Sequence, residues 1–304
     1  MSYRYYTADV FTNEVFQGAQ IAVFPDAAHF DERLMARIAK ELNLSETVFV
    51  SPAQTSNCFR LQVFSPKGEV AFAGHPILAA VKVLVRCGQI NPTCDKVVVF
   101  QQNSTSVAVD ICQREARPLF VQFELSAEAS IDRYTPTAAE LAHFLNIQER
   151  EIDTHRFHTR LVSINRPYLI VPLISQDAVR RARFSMDAWS QSSAPAMAAQ
   201  EIFIFSARTE HRETDFHARL LGPDIGANED PPIGSVMPCF AAYLGEHEHV
   251  REGTHTFTID RGTTATRRSV LNIEADYHPN KPVKVRVGGE VVLVSESQLL
   301  LETP

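Results

Sequence analysis

The amino-acid sequence predicts an α+β protein built from two pseudo-symmetric domains, each a mostly antiparallel β-sheet or barrel wrapped round a central apolar helix. The main observation is a segment that occurs twice, at 69–88 and 227–245: an acidic turn, a Gly-His or Gly-Ser pair, and an almost wholly apolar run closed by glycine. A helix that is apolar on every side must be buried. A chain of 304 residues is long enough for two domains that each bury one.

The repeat continues upstream of both apolar segments, in the same order. One of the matches, SETVFVS with QEIFIFS, makes Glu201 the counterpart of Glu46. Several similarities in one order indicate a duplicated domain. Ligands commonly bind where two domains meet, so we expect the site in a cleft between them. The matched segments are 18–24 with 166–172, 45–51 with 200–206, and 59–66 with 216–223.

The first half is predicted to contain two helices among its strands. Apolar residues recur with helical period over 31–42, which indicates a helix. Glu46 then begins a run of alternating β-forming residues, so it lies where a helix gives way to a strand. Pro76 fits the first turn of the apolar helix and Gly88 its C-terminal cap. The predicted strands are 7–11, 21–24, 46–50, 58–65, 97–101, 106–112 and 119–123.

Between 126 and 136 the strand pattern lapses into polar residues, which places the domain boundary there. We expect residues 1–127 to form the first domain and 128–304 the second, with the last strand free to return to the first domain. The second apolar helix is predicted to begin at Val236, with Ser235 as its N-cap. The other predicted elements are a helix at 137–145 and strands at 168–171, 201–206, 216–221, 256–260, 270–273, 283–287 and 291–294.

Composition argues against several classes of function. The net charge of −7 comes without a basic stripe, so no nucleic-acid partner is expected. No apolar run approaches the length of a membrane span and the N-terminus lacks the apolar core of a signal peptide, so we expect a cytoplasmic protein that binds no membrane. The absence of Gly-x-Ser-x-Gly, Gly-x-Gly-x-x-Gly and P-loop motifs disfavours serine hydrolases and nucleotide enzymes.

The cysteine pattern does not suggest disulfides or a metal site. The five cysteines are scattered, without a Cys-x-x-Cys pair, and are expected to be reduced. The run Glu246-His247-Glu248-His249 follows a helix end, where exposed polar residues are ordinary, so we expect no bound metal there.

Four motifs carry a resemblance that extends over essentially the whole chain. They are DVFT at 9–12, NLSETVF at 43–49, FAGHP at 72–76 and EDPPIGS at 229–235. With them the chain resembles the PhzF family, the phenazine-biosynthesis-like proteins that share the diaminopimelate epimerase fold. The resemblance implies cofactor-free isomerisation of a dihydro-hydroxyanthranilate, in which a proton moves between ring carbons, and it implies a homodimer.

The resemblance also implies the site residues. In that family the glutamate of the SET motif shuttles the proton, which assigns this role to Glu46. The histidine of GHP, the aspartate of EDP and the serine of GS complete the catalytic set as His75, Asp230 and Ser235. Contacts with a small carboxylate substrate are expected at the two helix starts and at positions that depart from the family: Gly74, Pro76, Gly234, Ala19 and Ile233.

The residue types suit this chemistry. A carboxylate held beside a C–H bond can act as the base. The bare N–H groups at a helix start can hold the substrate carboxylate and stabilise the delocalised negative charge. No metal or organic cofactor is then required.

Several positions depart from the family pattern. Gly18-Ala19-Gln20 stands where the family usually has Gly-Asn-Pro, and Pro232-Ile233 replaces Ala-Thr. Ile77 replaces the Thr after the Gly-His-Pro motif, and the late Gly-Arg-Pro-Ser motif survives as Thr-Arg-Arg-Ser at 266–269. These changes predict a more apolar pocket and a different ligand.

Two alternatives stay open at this point. One is a non-catalytic small-ligand-binding or interaction protein on the same scaffold, suggested by the lost polar positions. The other is a PLP-independent racemase or epimerase like the parent fold, which in that group uses a facing pair of cysteines. This chain carries His75 and Ser235 at the helix starts instead.

Overall fold

The chain divides into two compact units in the computed structural model. The first unit comprises Met1–Glu124, Thr263–Leu271 and Arg286–Pro304, and the second comprises Leu125–Gly262 and Asn272–Val285. The chain thus returns to the first unit twice, where the sequence analysis considers a return of the last strand only. The structure describes residues 2–53, 55, 57–70, 74–94, 96–103, 105–113, 118–164, 166–197, 199, 201–226, 231–247, 250–279 and 281–301.

Strands dominate both units, as the α+β prediction requires. The strands are β1 (Ser2–Val10), β2 (Ala19–Phe24), β3 (Glu46–Pro52), β4 (Cys58–Ser65), β5 (Gly68–Glu69), β6 (Val97–Gln102), β7 (Thr105–Cys112), β8 (Phe120–Ala127), β9 (Ser130–Asp132), β10 (Arg160–Ser163), β11 (Pro167–Pro172), β12 (Glu201–Ser206), β13 (Phe216–Leu221), β14 (Gly253–Arg261), β15 (Ser269–Tyr277) and β16 (Val283–Leu300). The helices are α1 (Glu32–Leu42), α2 (His75–Arg86), α3 (Ala138–Leu145), α4 (Gln176–Arg181), α5 (Met186–Ser190) and α6 (Met237–Gly245). Short 3-10 turns lie at Glu149–Glu151, Ala194–Met197, Gly234–Val236 and Thr264–Thr266.

The first unit is a barrel around α2. Its strands follow the order β1-β2-β3-β4-β6-β7-β8, and β16 pairs with both β8 and β1, which closes the sheet. The apolar helix α2 packs against β1, β2 and β3, and its residues His75 to Val81, Val83 and Leu84 are buried. The prediction that an all-round apolar helix fills the domain is confirmed here.

The second unit wraps its sheet round α6 in the same way. The strands follow the order β9-β10-β11-β12-β13-β14-β15. Phe240 of α6 places its ring centroid 4.9 Å from that of Phe205, 5.0 Å from Phe203 and 5.2 Å from Phe216. On the other face of this sheet, α3, α4 and α5 pack over a second apolar cluster that includes Phe144, Val179 and Ile204.

Strand pairing supports the duplication. In the first unit β1-β2 is antiparallel, β2-β3 parallel, β3-β4 antiparallel and β4-β6 parallel. In the second unit β10-β11, β11-β12, β12-β13 and β13-β14 repeat the same alternation. Because each unit keeps an uncommon mixture of parallel and antiparallel pairs in one order, the two units have the same topology.

One predicted boundary is wrong. β16 runs without interruption where the sequence analysis predicts two strands separated at Gly288 and Gly289. A Cβ at Gly288 would lie 2.7 Å from the Phe120 ring, and one at Gly289 would lie 2.5 Å from the Phe11 ring. The glycines therefore allow two aromatic rings to approach the strand, and they do not end it.

Candidate active site

Glu46 is the first residue of β3, directly after the turn that ends α1. Asn43 closes that helix in the left-handed conformation, with φ 49°, which its short polar side chain tolerates. Glu46 lies opposite Ile21 in the parallel pair β2-β3. The Ser45 hydroxyl donates to the Gln20 carbonyl at 2.6 Å, which ties the start of β3 to β2. The Glu46 side chain is only 12% exposed, so it is not a solvated surface carboxylate.

His75 is the first residue of α2 and is buried. Gly74 is the N-cap and provides no side-chain capping bond. A Cβ at Gly74 would lie 2.2 Å from the Phe123 ring, so only glycine fits there without movement. Pro76 occupies the first turn of α2, where its missing N–H removes no helical hydrogen bond. The sequence of glycine, histidine and proline thus fixes the imidazole at a tightly packed helix start.

Glu46 and His75 meet inside the first unit, and we call them the first-unit pair. Nε2 of His75 lies 2.7 Å from Oε2 of Glu46. The two atoms are close, but the ring is not oriented for a hydrogen bond between them. Among the described residues, Oε2 of Glu46 and both ring nitrogens of His75 have no hydrogen-bond partner. A buried polar atom left in this way costs about 1–3 kcal/mol. Such atoms in native proteins call for an explanation, of which a catalytic role is one.

Phe11 packs beside this pair in an unusual backbone conformation. Its ring centroid lies 6.4 Å from that of His75. Its φ of 65° is in the left-handed region, which bulky residues rarely adopt. The Phe11 carbonyl accepts the N–H of Val270 at 2.8 Å, which helps hold this conformation. Strained backbone of this kind clusters at functional sites, and no sequence pattern indicated it here.

A buried ion pair braces the loop that leads to Ala19. Arg267 donates to the carboxylate of Asp9 and to the Gly18 carbonyl, and the Phe16 N–H donates to Asp9 Oδ2 at 2.7 Å. Burial raises the pKa of Asp9, and the Arg267 guanidinium opposes that change. Ala19, predicted to contact substrate, is a buried residue at the start of β2. From sequence, Asp9 and Arg267 are recognisable only as members of their motifs, and the structure adds their bracing role.

The second unit carries the other predicted residues. Ile233 and Gly234 are buried, and Ser235 lies with Gly234 in the 3-10 turn that runs into α6. The prediction that Ser235 caps the helix is wrong, because the helix begins after this turn and has no side-chain cap. Burial raises the pKa of Tyr168, and the nearby Ser235 side chain partly offsets that change. Asp230 lies outside the described residues.

Arg166, Tyr168, Glu201 and Ser235 form a polar group that we call the second-unit cluster. Arg166 Nε donates to the Tyr168 hydroxyl at 2.7 Å, and Arg166 Nη2 lies 2.8 Å from Glu201 Oε1. Burial raises the pKa of Glu201, which the Arg166 charge counteracts and the Asp224 charge reinforces. Arg166 and Tyr168 were not assigned a role from sequence.

Strand register relates the second-unit cluster to the first-unit pair. Tyr168 lies opposite Glu201 in β11-β12, as Ile21 lies opposite Glu46 in β2-β3. Tyr168 therefore corresponds to Ile21, and two residues earlier in each segment Arg166 corresponds to Ala19. The loose sequence match of 18–24 with 166–172 is one residue out of this register. With the correct register, the repeat itself points to Arg166.

The predicted residues thus fall into two sets. Glu46, His75, Gly74, Pro76 and Ala19 belong to the first unit, where the structure brings Glu46 and His75 into contact. Ile233, Gly234 and Ser235 belong to the second unit, where Ser235 lies near Tyr168.

A duplicated α+β fold that holds a carboxylate against an imidazole at the start of a buried helix places the chain in the epimerase-like fold class. The chain belongs to the PhzC-PhzF family of phenazine biosynthesis-like proteins, whose family model matches residues 8–297. A trans-2,3-dihydro-3-hydroxyanthranilate isomerase of Pseudomonas aeruginosa is 40% identical over 301 residues, which cover 98% of this chain and 100% of the relative. The expected family and isomerase class are confirmed.

Solved structures agree on the fold. A PhzF-family phenazine biosynthesis protein of Bacillus anthracis has 19% sequence identity and a TM-score of 0.87, covering 99% of this chain and 100% of its own. A probable proline racemase of Agrobacterium radiobacter K84 has 11% identity and a TM-score of 0.64, covering 99% of this chain and 93% of its own. Both likenesses concern the fold alone.

No helix in the described part of the chain combines the length and apolar character needed to span a bilayer. Within the same residues, no three histidine, cysteine or acidic side chains group as a metal site would require. Glu248 and His249 of the polar run after α6 lie outside the described residues.

Proposed function

We propose that this protein is a cofactor-independent isomerase that moves a proton on a small carboxylate-bearing substrate of the dihydro-hydroxyanthranilate type, with Glu46 as the proton shuttle. The observation that carries the proposal is the first-unit pair. Nε2 of His75 lies 2.7 Å from a Glu46 oxygen that has no aligned partner among the described residues. A base for a carbon acid needs such a free oxygen at a fixed position.

A single carboxylate both removes the proton and returns it. In its ionised form Glu46 takes a proton from a ring C–H, and the C–H electron pair enters the conjugated system of the substrate. Glu46 then returns the proton to a different carbon of that system. A double bond changes position, and no atom or electron is gained or lost. No second base or redox partner is needed for this step.

His75 is placed to control the position of the shuttle. Its ring is fixed by Pro76 and the packed N-cap Gly74, so one Nε2 contact limits where the Glu46 carboxylate can swing. Correct placement of a base beside a C–H bond accounts for a large part of the rate in such reactions. The start of α2 also supplies N–H groups without intrahelical acceptors, which favour negative charge developing nearby.

The substrate class is supported by the Pseudomonas aeruginosa relative, which is named for trans-2,3-dihydro-3-hydroxyanthranilate. The departures from the family pattern bear on the exact substrate. Ile77 and Ile233 are both buried apolar residues. We therefore assign the substrate class and leave its ring substituents to experiment. Asp230 stays a predicted catalytic residue. Gly74, Pro76, Gly234, Ala19 and Ile233 stay predicted substrate contacts.

Proton NMR in deuterated buffer tests the proposal directly. Wild-type protein should introduce deuterium at a ring carbon of trans-2,3-dihydro-3-hydroxyanthranilate while isomerising it. Glu46→Gln should lower the rate of this exchange by at least about 100-fold, the usual contribution of a positioned general base. Glu41→Gln is the matched control, because Glu41 lies five positions away on the exposed face of α1.

The outcomes separate the alternatives. Exchange by wild type that survives in Glu46→Gln would contradict the shuttle role. Broadened ligand resonances without any exchange across a panel of cyclic carboxylates would favour the non-catalytic binding protein. The thiol-based racemase is less well supported, because Cys239 is buried and its burial raises the pKa of the thiol to about 12. The homodimer and the cytoplasmic location expected from sequence stay predictions.

A further inference from the structure

Arg166 is held at two points. Its Nε donates to the Tyr168 hydroxyl, and its Nη2 forms an ion pair with Glu201 Oε1 at 2.8 Å. A guanidinium carries five N–H groups in a rigid planar fork, so three have no acceptor in these two contacts. The Arg166 side chain is 55% exposed. A positioned cation with free N–H groups matches the geometry of a planar carboxylate.

The neighbouring hydroxyl groups add donors of the same kind. The Tyr168 hydroxyl accepts from Arg166, so its own proton is available to donate. Burial raises the pKa of Tyr168, so this hydroxyl keeps its proton at neutral pH. Ser235, in the turn before α6, lies close enough to the Tyr168 hydroxyl to offset part of this rise in pKa. Two hydroxyls and a guanidinium beside one another favour an anionic ligand over a neutral one.

The geometry does not fit an ion pair made only to neutralise Glu201. A purely structural Arg–Glu pair gains most from two parallel bonds that use both carboxylate oxygens. Here the ion pair joins Nη2 to Oε1, and Oε2 of Glu201 is buried without a hydrogen-bond partner among the described residues. Glu201 therefore holds the guanidinium by one edge and leaves the rest of its fork available.

We propose that Arg166 binds the carboxylate of the substrate, and that Tyr168 and Glu201 are positioning residues for its guanidinium. The identity of the substrate rests on the proposed function, whereas the preference for a carboxylate rests on the second-unit cluster alone. The register match supports the assignment, because Arg166 occupies the position that corresponds to Ala19, a predicted substrate contact.

Calorimetric titration with two ligands of nearly equal shape tests this inference. Anthranilate carries a carboxylate, and 2-aminobenzamide carries a neutral amide in its place. Wild type should prefer anthranilate. Arg166→Gln should weaken anthranilate binding by about 10- to 100-fold, the range for a lost charge-assisted hydrogen bond, and should change 2-aminobenzamide binding little. Arg166→Lys should retain part of the preference, since it keeps the charge without the fork.

Further variants separate binding from a structural role. Arg181→Gln is the control, because Arg181 is 51% exposed and forms ion pairs in the same unit. It should leave both affinities unchanged. Glu201→Gln keeps an oxygen acceptor for Arg166 and should keep the preference, whereas Glu201→Ala removes the acceptor and should reduce it. A preference that survives in Arg166→Gln, or wild-type protein that does not prefer anthranilate, would overturn the proposal.

Failure of this inference is distinguishable from failure of the proposed function. If Arg166 controls anthranilate affinity but no dihydro-hydroxyanthranilate is isomerised, the carboxylate site stands and the assigned reaction fails. If isomerisation depends on Glu46 while Arg166→Gln retains kcat and KM, the reaction stands and the role of Arg166 is wrong.

Discussion

Replacing Gly74 with alanine should destabilise the protein and displace His75. Gly74 has ordinary helical dihedrals, with φ −76° and ψ −42°, so the backbone itself accepts alanine. Gly74 is the N-cap of α2, a position where glycine is preferred over alanine. The larger obstacle is steric, because the new Cβ would lie 2.2, 2.6 and 2.8 Å from three atoms of the Phe123 ring. The N-cap preference and the packing thus predict the same sign.

The size of the effect follows from these distances. Carbon atoms pack at about 3.5–4.0 Å, so the Phe123 ring or the start of α2 must move by more than 1 Å, as judged from a contact of 2.2 Å. Phe123 is 1% exposed and cannot swing into solvent. Overpacking of this kind costs about 1–3 kcal/mol. For a unit of this size that lowers Tm by roughly 2–12 °C.

Thermal unfolding and steady-state kinetics check the prediction together. Gly74→Ala should lower Tm, and it should lower kcat/KM by about 10- to 100-fold, because a shift of about 1 Å misplaces His75 beside Glu46. Phe123→Leu removes the clashing ring atoms. The double variant should therefore lose less stability than the sum of the losses in the two single variants. A Gly74→Ala protein with raised Tm, or strict additivity with Phe123→Leu, would refute the packing argument.

Two further predictions concern charge and thiol chemistry. Backbone N–H groups of Thr137 and Ser193 lower the pKa of Glu140 to about 2. Because this pKa lies below the ordinary value of about 4.3, the ionised Glu140 contributes its full stabilisation to the fold above about pH 4.3. That contribution is lost as the pH falls towards 2. The Tm advantage of wild type over Glu140→Gln should therefore shrink across that window in melting curves, and a constant difference would contradict the assignment. Iodoacetamide at pH 8 should modify exposed Cys94 and spare buried Cys239 without loss of isomerase activity, whereas inactivation that follows Cys239 modification in mass spectra would restore the racemase alternative.

Much of the fold was predictable because its strands have clear alternation or strongly apolar cores. β4, β12 and β13 have the bounds that the sequence predicts. The short elements were missed because few residues define them. β10 has four residues and α4 has six, so each repeats its pattern too few times for the pattern to be recognised. A Ser175 cap marks the start of α4 and is the kind of feature that would have indicated it.

The site was predictable to different degrees in its two parts. Glu46 and His75 stand in recognisable motifs, and their contact follows from a strand start and a helix start that pack together. Arg166 and Glu201 are 35 positions apart, and only the parallel register of β11 and β12 brings them together. A one-residue slip in a strand exchanges its two faces. The approximate repeat alignment was therefore too coarse to place Arg166.

The duplicated positions Glu46 and Glu201 show how one scaffold separates two tasks. Both glutamates begin equivalent strands, but Glu46 faces an imidazole and Glu201 faces a guanidinium. Burial raises the pKa of Glu201, and the charge of Arg166 opposes that rise at every pH, because a guanidinium cannot give up its proton in a protein. An imidazole can exist in more than one protonation and tautomeric state, so Glu46 can gain and lose a proton without losing its neighbour. This difference predicts that Glu46→Gln removes exchange while sparing anthranilate binding, and that Glu201→Gln spares both. Equal loss of exchange in the two variants would mean that the glutamates had not diverged.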